Sequence, residues 1–124
     1  MSKNIISCAF LVVFSLSINV ALAGMEYPQE MMEVSSPYPG ATIAQTTSTS
    51  GTVMVTMESN DNLDQIFEFY KNELLANGWT ITNETQSQRH SGLMSEKGSN
   101  HVIVNIGTGR SDKSIISLML TSKK

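Results

Sequence analysis

The chain has 124 residues, 40% hydrophobic and 15% charged, with eight basic against eleven acidic residues and a formal net charge of −3. This length gives room for one domain, the apolar fraction argues against wholesale disorder, and the acidic balance argues against a nucleic-acid partner, which calls for a clustered basic surface. A single cysteine, Cys8, excludes a disulfide framework and a cysteine-based zinc site.

Residues 1–23 have the three-part layout of a secretory signal peptide. Lys3 supplies the positive start, Ile5 to Val20 the apolar run, and Ala21-Leu22-Ala23 the small residues that signal peptidase reads. Cleavage is expected after Ala23. An uncleaved anchor is the competing reading, but Ser7, Ser15, Ser17 and Asn19 dilute the run. Ile5-Ile6-Ser7-Cys8 loosely resembles a lipobox, yet Cys8 lies inside the hydrophobic stretch, with no apolar run before it. The expected product is an exported protein, periplasmic or secreted, with no stable membrane anchor, and residues 24–124 contain no cysteine.

Residues 24–36 show no clean period and are expected to form a flexible lead-in to a single domain over 37–124. Pro37-Tyr38-Pro39-Gly40 predicts a turn, with proline setting φ and Gly40 free to take a positive φ. A threonine-rich strand is expected over Ala41 to Thr47, a hairpin turn at Ser48-Thr49-Ser50-Gly51, and an alternating strand over Thr52 to Glu58 that buries Val53, Val55 and Met57. One helix follows, capped by Asn60 or Asp61, with Leu63, Ile66, Phe67, Tyr70 and Leu74 on one stripe. Asn77-Gly78 ends it, Gly78 as the left-handed C′ residue and Trp79 packing back on Leu74. Trp79 is expected to open a strand with Ile81 and Asn83 on its own face. Short strands over Leu93 to Lys97, His101 to Ile106 and Lys113 to Thr121 complete the pattern, joined at Gly98-Ser99-Asn100 and at Gly107 to Asp112. The order β-β-α-β-β-β predicts an α+β fold with one amphipathic helix on an antiparallel sheet. The far face of that sheet should stay polar or meet a partner. Phe67, Tyr70, Leu74, Trp79, Val53, Val55, Val102 and Val104 are the expected core.

Tyr38-Pro39-Gly40-Ala41, followed by an alternating strand and by Phe69-Tyr70, Leu74 and Gly78-Trp79, resembles small exported bacterial domains of unknown function with YPGA and FY-x3-L-x3-GW motifs. The resemblance covers Pro37 to Leu120. It implies a helix on an antiparallel sheet, structural roles for Gly40, Tyr70, Gly78 and Trp79, and no catalytic residue to carry over. The methionine-rich lead-in and the histidines depart from it.

Candidate chemistry is sparse. His90 falls in a loop and His101 after a turn, with no metal-helix spacing and no cysteine as nucleophile. Thioethers select Cu(I), so Met31 and Met32 near His90 or His101 would be a copper site in an exported protein; packing of Met54, Met57 and Met119 within strands is the plainer reading of the other methionines. Gly107-Thr108-Gly109-Arg110 joins two strands rather than a strand and a helix, so a hairpin is expected there and not a phosphate nest. Asn83-Glu84-Thr85 matches a glycosylation sequon, which matters only in a eukaryotic secretory pathway. The expectation is a non-catalytic envelope domain without a cofactor, binding an unidentified protein or small molecule. The alternatives are copper handling through methionine and histidine, and a small hydrolase built on a His–carboxylate pair.

Overall fold

A computed structural model describes residues 26–122. The signal-peptide reading of 1–23, the lipobox reading of Cys8 and the expectations for Gly24 and Met25 lie outside the described residues. Within them, β1 (Thr42–Thr49), β2 (Thr52–Ser59), α1 (Leu63–Ala76), β3 (Thr80–Gln86), β4 (His90–Lys97), β5 (Asn100–Thr108) and β6 (Ser114–Ser122) follow in the expected order. All strand pairs are antiparallel, in the spatial order β1-β2-β6-β5-β4-β3. The last strand therefore slots into the middle of the sheet beside β2, and α1 carries the chain from β2 across to the opposite edge. The fold is α+β, one helix packed on a six-stranded antiparallel sheet.

The helix begins one residue later than the sequence suggests. Asn62 is its N-cap, not Asn60 or Asp61: the Asn62 side chain accepts from the Gln65 amide at 2.8 Å, and Gln65 reaches back to the Asn62 N–H. Asp61 is drawn elsewhere, because the Tyr38 hydroxyl donates to its carboxylate at 2.6 Å. The apolar stripe is as predicted, with Leu63, Ile66, Phe67, Tyr70 and Leu74 all buried. At the other end Gly78 takes φ +87°, the Trp79 amide bonds the Leu74 carbonyl and the Gly78 amide that of Leu75. That double bond pattern is a Schellman close, and it turns the indole back onto the core.

Alternation in the strands sorts the two faces. Val53, Val55 and Met57 of β2, Leu93 of β4, Val102, Val104 and Ile106 of β5, and Ile116, Leu118 and Leu120 of β6 meet the helix side. All eight predicted core residues are buried. Tyr38-Pro39-Gly40-Ala41 closes a turn through the Ala41 amide and the Tyr38 carbonyl, with Gly40 at φ +80°. The open face carries mostly threonine, serine, asparagine and charged residues, but the register also aligns Met54, Met119, Ile103 and Met94 across four adjacent strands. Of the three methionines read as strand packing, only Met57 is fully buried; Met54 and Met119 lie on the open face.

Several boundaries move. Strand pairing carries β1 to Thr49, which narrows its turn to Ser50-Gly51, and brings the start of β4 back to His90, opposite Gly107. A bulge between Ile81 and Asn83 overturns the expected face of β3. Ile81 stays on the helix side opposite Ser95, whereas Asn83 emerges on the open face opposite Met94, and Trp79 precedes the strand.

Residues 26–36 are the largest departure. The expected flexible lead-in instead makes a 3-10 turn over Gln29–Glu33, and Met31 and Val34 are fully buried in the main core. Carbonyls of this segment hold the end of α1: the Trp79 indole donates to the Glu33 carbonyl at 3.0 Å and the Asn77 side-chain amide to that of Val34 at 3.0 Å. The helix lies over β3, β4 and β5, so the rest of that face is left for this segment to cover. No period marks it because single apolar residues anchor it, not a stripe.

Candidate functional site

The space between helix and sheet is filled by side chains. Ile66, Phe67, Tyr70 and Leu74 meet Leu93, Val104, Ile106 and Leu118, all essentially without solvent exposure. An aromatic cluster closes it on one side, with Tyr38 and Phe69 edge to face at 4.9 Å and Phe69 and Tyr70 likewise at 5.1 Å. The Tyr70 hydroxyl is buried with no hydrogen-bond partner among the described residues. Burial, with Tyr27, Tyr38 and Glu73 nearby, pushes its phenol well above the ordinary range. Since that hydroxyl makes no bond to lose, Tyr70→Phe is expected to leave stability unchanged or raise it by about 1 kcal/mol in urea unfolding. A clear loss would show that the hydroxyl has a partner.

Tyr38 titrates differently. Burial, then the hydrogen bond to Asp61 and the charge of that carboxylate, push its phenol up to about 12. An unfolded tyrosine ionises near about 10, so the neutral ring favours the folded state. The stabilisation is present below pH 10 and is lost as pH rises through the folded value, and Tyr27 and Tyr70 act in the same direction. Thermal unfolding should therefore drop steeply between pH 10 and 12. Tyr38→Phe should flatten part of that drop, and an identical profile would contradict the assignment.

A broad concavity lies beyond the helix N-terminus. It is an open cleft of about 840 Å³ with three walls: Asn60 to Asp64, Gln86 to Gln88, and Thr108, Gly109 and Asp112 to Ser114. Each wall is held by its own bonds. The Ser114 hydroxyl donates to the Asp61 carbonyl at 2.7 Å and the Asp61 amide to the Ser59 hydroxyl at 3.0 Å. Across the cleft, Ser87 and His90 close the β3–β4 turn, the Ser87 amide and hydroxyl both bonding the His90 carbonyl. The third wall is strained. Ser111 and Asp112 sit consecutively at φ 58° and 62°, each costing on the order of 1 kcal/mol or more for a side-chain-bearing residue. Gly109 sits close against the next strand: a Cβ there would lie 2.7 Å from Ile115 Cγ1, so a larger residue would force that side chain or the loop to shift. The hairpin expected at Gly107 to Asp112 is thus a five-residue loop, Gly109 to Lys113, that presents Asp112 and Lys113 to the cleft.

Asp64, Gln88 and Asp112 make no side-chain hydrogen bond among the described residues, so their carboxylate and amide groups are free for a ligand. The sequence reads Asp64 only as a solvated carboxylate in the first turn of the helix, and marks neither Gln88 nor Asp112 as a binding group. The signal was there only as a cluster of Asn and Asp before the helix and a Gly-rich loop before β6.

The residues considered for chemistry are scattered. Met31 is buried in the core and Met32 is half exposed beside it. His90 and His101 lie instead on the open face of the sheet, His90 opposite Gly107 and His101 opposite Glu96, six positions apart along β4. The combination of Met31 and Met32 with either histidine is not brought together. His90 Nε2 lies 3.2 Å from the Asn105 side-chain oxygen, an amide and not a carboxylate. His101 faces Glu96 on the open sheet, and neither histidine lines the cleft at the helix N-terminus. Among the described residues no group of three or more histidine, aspartate or glutamate side chains could hold a metal ion. Gly40 and Gly78 take positive φ, the Trp79 amide bonds the Leu74 carbonyl, and Tyr70 is fully buried.

The model of one protein family matches residues 32–114, more than half of the chain and all three walls of the cleft. The chain belongs to the START domain-like family. The START-like match begins at residue 32, within the segment 26–36, and runs to the first residue of β6, so it covers the end of the strap, the helix and most of the sheet. Among curated proteins none matches the sequence.

Proposed function

We propose that this START domain-like protein is an exported, non-catalytic binding domain that takes a small polar ligand in the cleft at the start of α1. The cleft carries the proposal: it joins three segments distant in sequence around the Asp64 and Asp112 carboxylates and the Gln88 amide, which make no side-chain hydrogen bond among the described residues. Membership of the START domain-like family supports a ligand-binding role. The filled helix–sheet interior favours a ligand held at this open end over an apolar one taken into the core. Asp61, Asp64 and Asp112 against Lys113 favour a neutral or cationic ligand bearing several hydrogen-bonding groups.

Thermal-shift and calorimetric titration of the full chain with a neutral disaccharide, a polyamine and a dicarboxylate tests the reading. Binding of the first or second, lost in Asp64→Ala and Gln88→Ala at unchanged melting temperature, is the expected result. Binding of the dicarboxylate alone, or of ligands indifferent to both substitutions, would overturn it. Export rests on residues 1–23, and among the described residues no helix is long and apolar enough to cross a membrane. Intact-mass measurement of the native protein should find a chain starting at Gly24. One still carrying residues 1–23 in the membrane fraction would contradict export by cleavage.

A further inference from the structure

The two edges of the sheet are unequally protected. An edge strand exposes backbone N–H and C=O groups that can pair with another strand, and proteins blunt such edges with charges, inward-pointing ions, prolines or bulges. At the β3 edge, Glu84 points to the helix side and pairs with Lys71 of α1 at 3.4 Å, beside the bulge at Ile81 and Asn83. The β1 edge has a bulge only in its first half, between Ile43 and Gln45. From Gln45 to Thr49 it is regular, exposed apart from half-buried Thr46, and has no charge and no proline. The two-residue turn at Ser50-Gly51 sets the pairing so that Thr49, Thr47 and Gln45 bond to β2. Thr46 and Ser48 therefore turn their backbone groups outward, and no backbone bond from the rest of the described chain reaches them.

Beside this stretch lies a second recess. A cleft of about 270 Å³ is lined by Thr46, Thr47 and Ser48 on one side and by residues 26–30 on the other, including Glu26 and Glu30. A strand added to β1 would place every second side chain at this cleft, next to two carboxylates. Pairing of β1 with a second copy of itself about a two-fold axis near Thr47 would instead bring both copies' Glu26 and Glu30 together, within the reach of unscreened repulsion.

We infer that the β1 edge is a docking site for an extended basic peptide, which adds as an antiparallel strand at Thr46 to Ser48 and sets cationic side chains against Glu26 and Glu30. The site stands on residues separate from the polar cleft and does not depend on what binds there. The backbone supplies affinity and the acidic cleft the choice of sequence.

The test is fluorescence anisotropy of the full chain with a short labelled peptide of alternating lysine and valine. Two control peptides are used, one with glutamate for lysine and one N-methylated at alternate backbone nitrogens. Binding to the first peptide only is expected, weakened about tenfold or more by the E26K/E30K double variant and by Ser48→Pro, with a circular-dichroism melt confirming the fold of each. Hydrogen exchange gives a second readout independent of the variants: the Thr46 and Ser48 amides should gain protection when the lysine peptide is added. Equal binding of the N-methylated peptide would reduce the contact to charge attraction and overturn strand addition. No binding, or a β1-dependent dimer in sedimentation, would overturn the inference as well.

Discussion

Trp79→Ala is expected to destabilise the protein by about 3–5 kcal/mol, the range for truncating a large buried aromatic. The indole is only 3% exposed and joins the main core. Its Nε1–H, which a core leucine would lack, donates to the Glu33 carbonyl and ties the strap 26–36 to the end of the helix. Its backbone amide closes that helix on Leu74. Alanine keeps the amide bond but leaves a cavity and an unpartnered carbonyl at Glu33. Urea unfolding followed by circular dichroism measures the loss. A midpoint equal to that of the unsubstituted chain would show that the indole is not packed as described. Trp79→Phe separates the two contributions, since it restores most of the volume without the donor, and should recover more than half of the loss.

Met31→Ala carries the second large effect, about 2–5 kcal/mol. Met31 is fully buried although it lies in a stretch with no helical or strand period, and its carbonyl accepts from both the Val34 and the Ser35 amides. The thioether side chain fills a gap that the straight helix leaves on the sheet, the kind of irregular space a flexible methionine suits. Losing it should loosen the whole strap. The exchange rates of the Val34 and Ser35 amides should therefore rise together with the drop in stability. If residues 26–36 were a dispensable lead-in, the substitution would fall within the ±0.5 kcal/mol typical of surface changes. Met32→Ala, half exposed one residue on, is the matched control and should show that small effect.

These two substitutions bear directly on the two functional readings. The strap forms one side of the acidic cleft at β1, so Met31→Ala should also weaken the lysine peptide at that edge. The polar cleft at the start of α1 contains no strap residue, and its ligand should be retained in any Met31→Ala molecule that stays folded. The two sites can thus fail separately.

Periodicity along the chain determined the elements and the inner faces of most of them. The helix stripe from Leu63 to Leu74, the alternation of Val53, Val55 and Met57, and that of Val102, Val104 and Ile106 are local patterns, because burial on one face imposes a period of 3.6 or 2 on the sequence itself. Gly40 and Gly78 were legible for a similar reason, since a positive φ next to a proline or after a helix selects glycine at once. The expectation of a leader over residues 1–23 rests on a local signal of the same kind. What the period could not carry was the place of each strand in the sheet. That β6 sits between β2 and β5 depends on long-range pairing, and the face of Asn83 depends on one inserted residue at a bulge.

The candidate sites were almost wholly a matter of tertiary structure. The polar cleft gathers Asp64, Gln88 and Asp112 from three loops at one end of the sheet, and no spacing along the chain relates them. The histidines and methionines weighed from sequence were separated for the same reason: Met31 faces the core while His90 and His101 face the open side of the sheet. The strap is the sharpest case. Residues 26–36 read as a lead-in because their burial is irregular, one methionine and one valine set against a helix end and a half-covered sheet. Local sequence fixed where the backbone could turn and which face was apolar; only the assembled sheet decided which edge was left open and which segment had to cover the rest, because both follow from contacts between residues far apart in the chain.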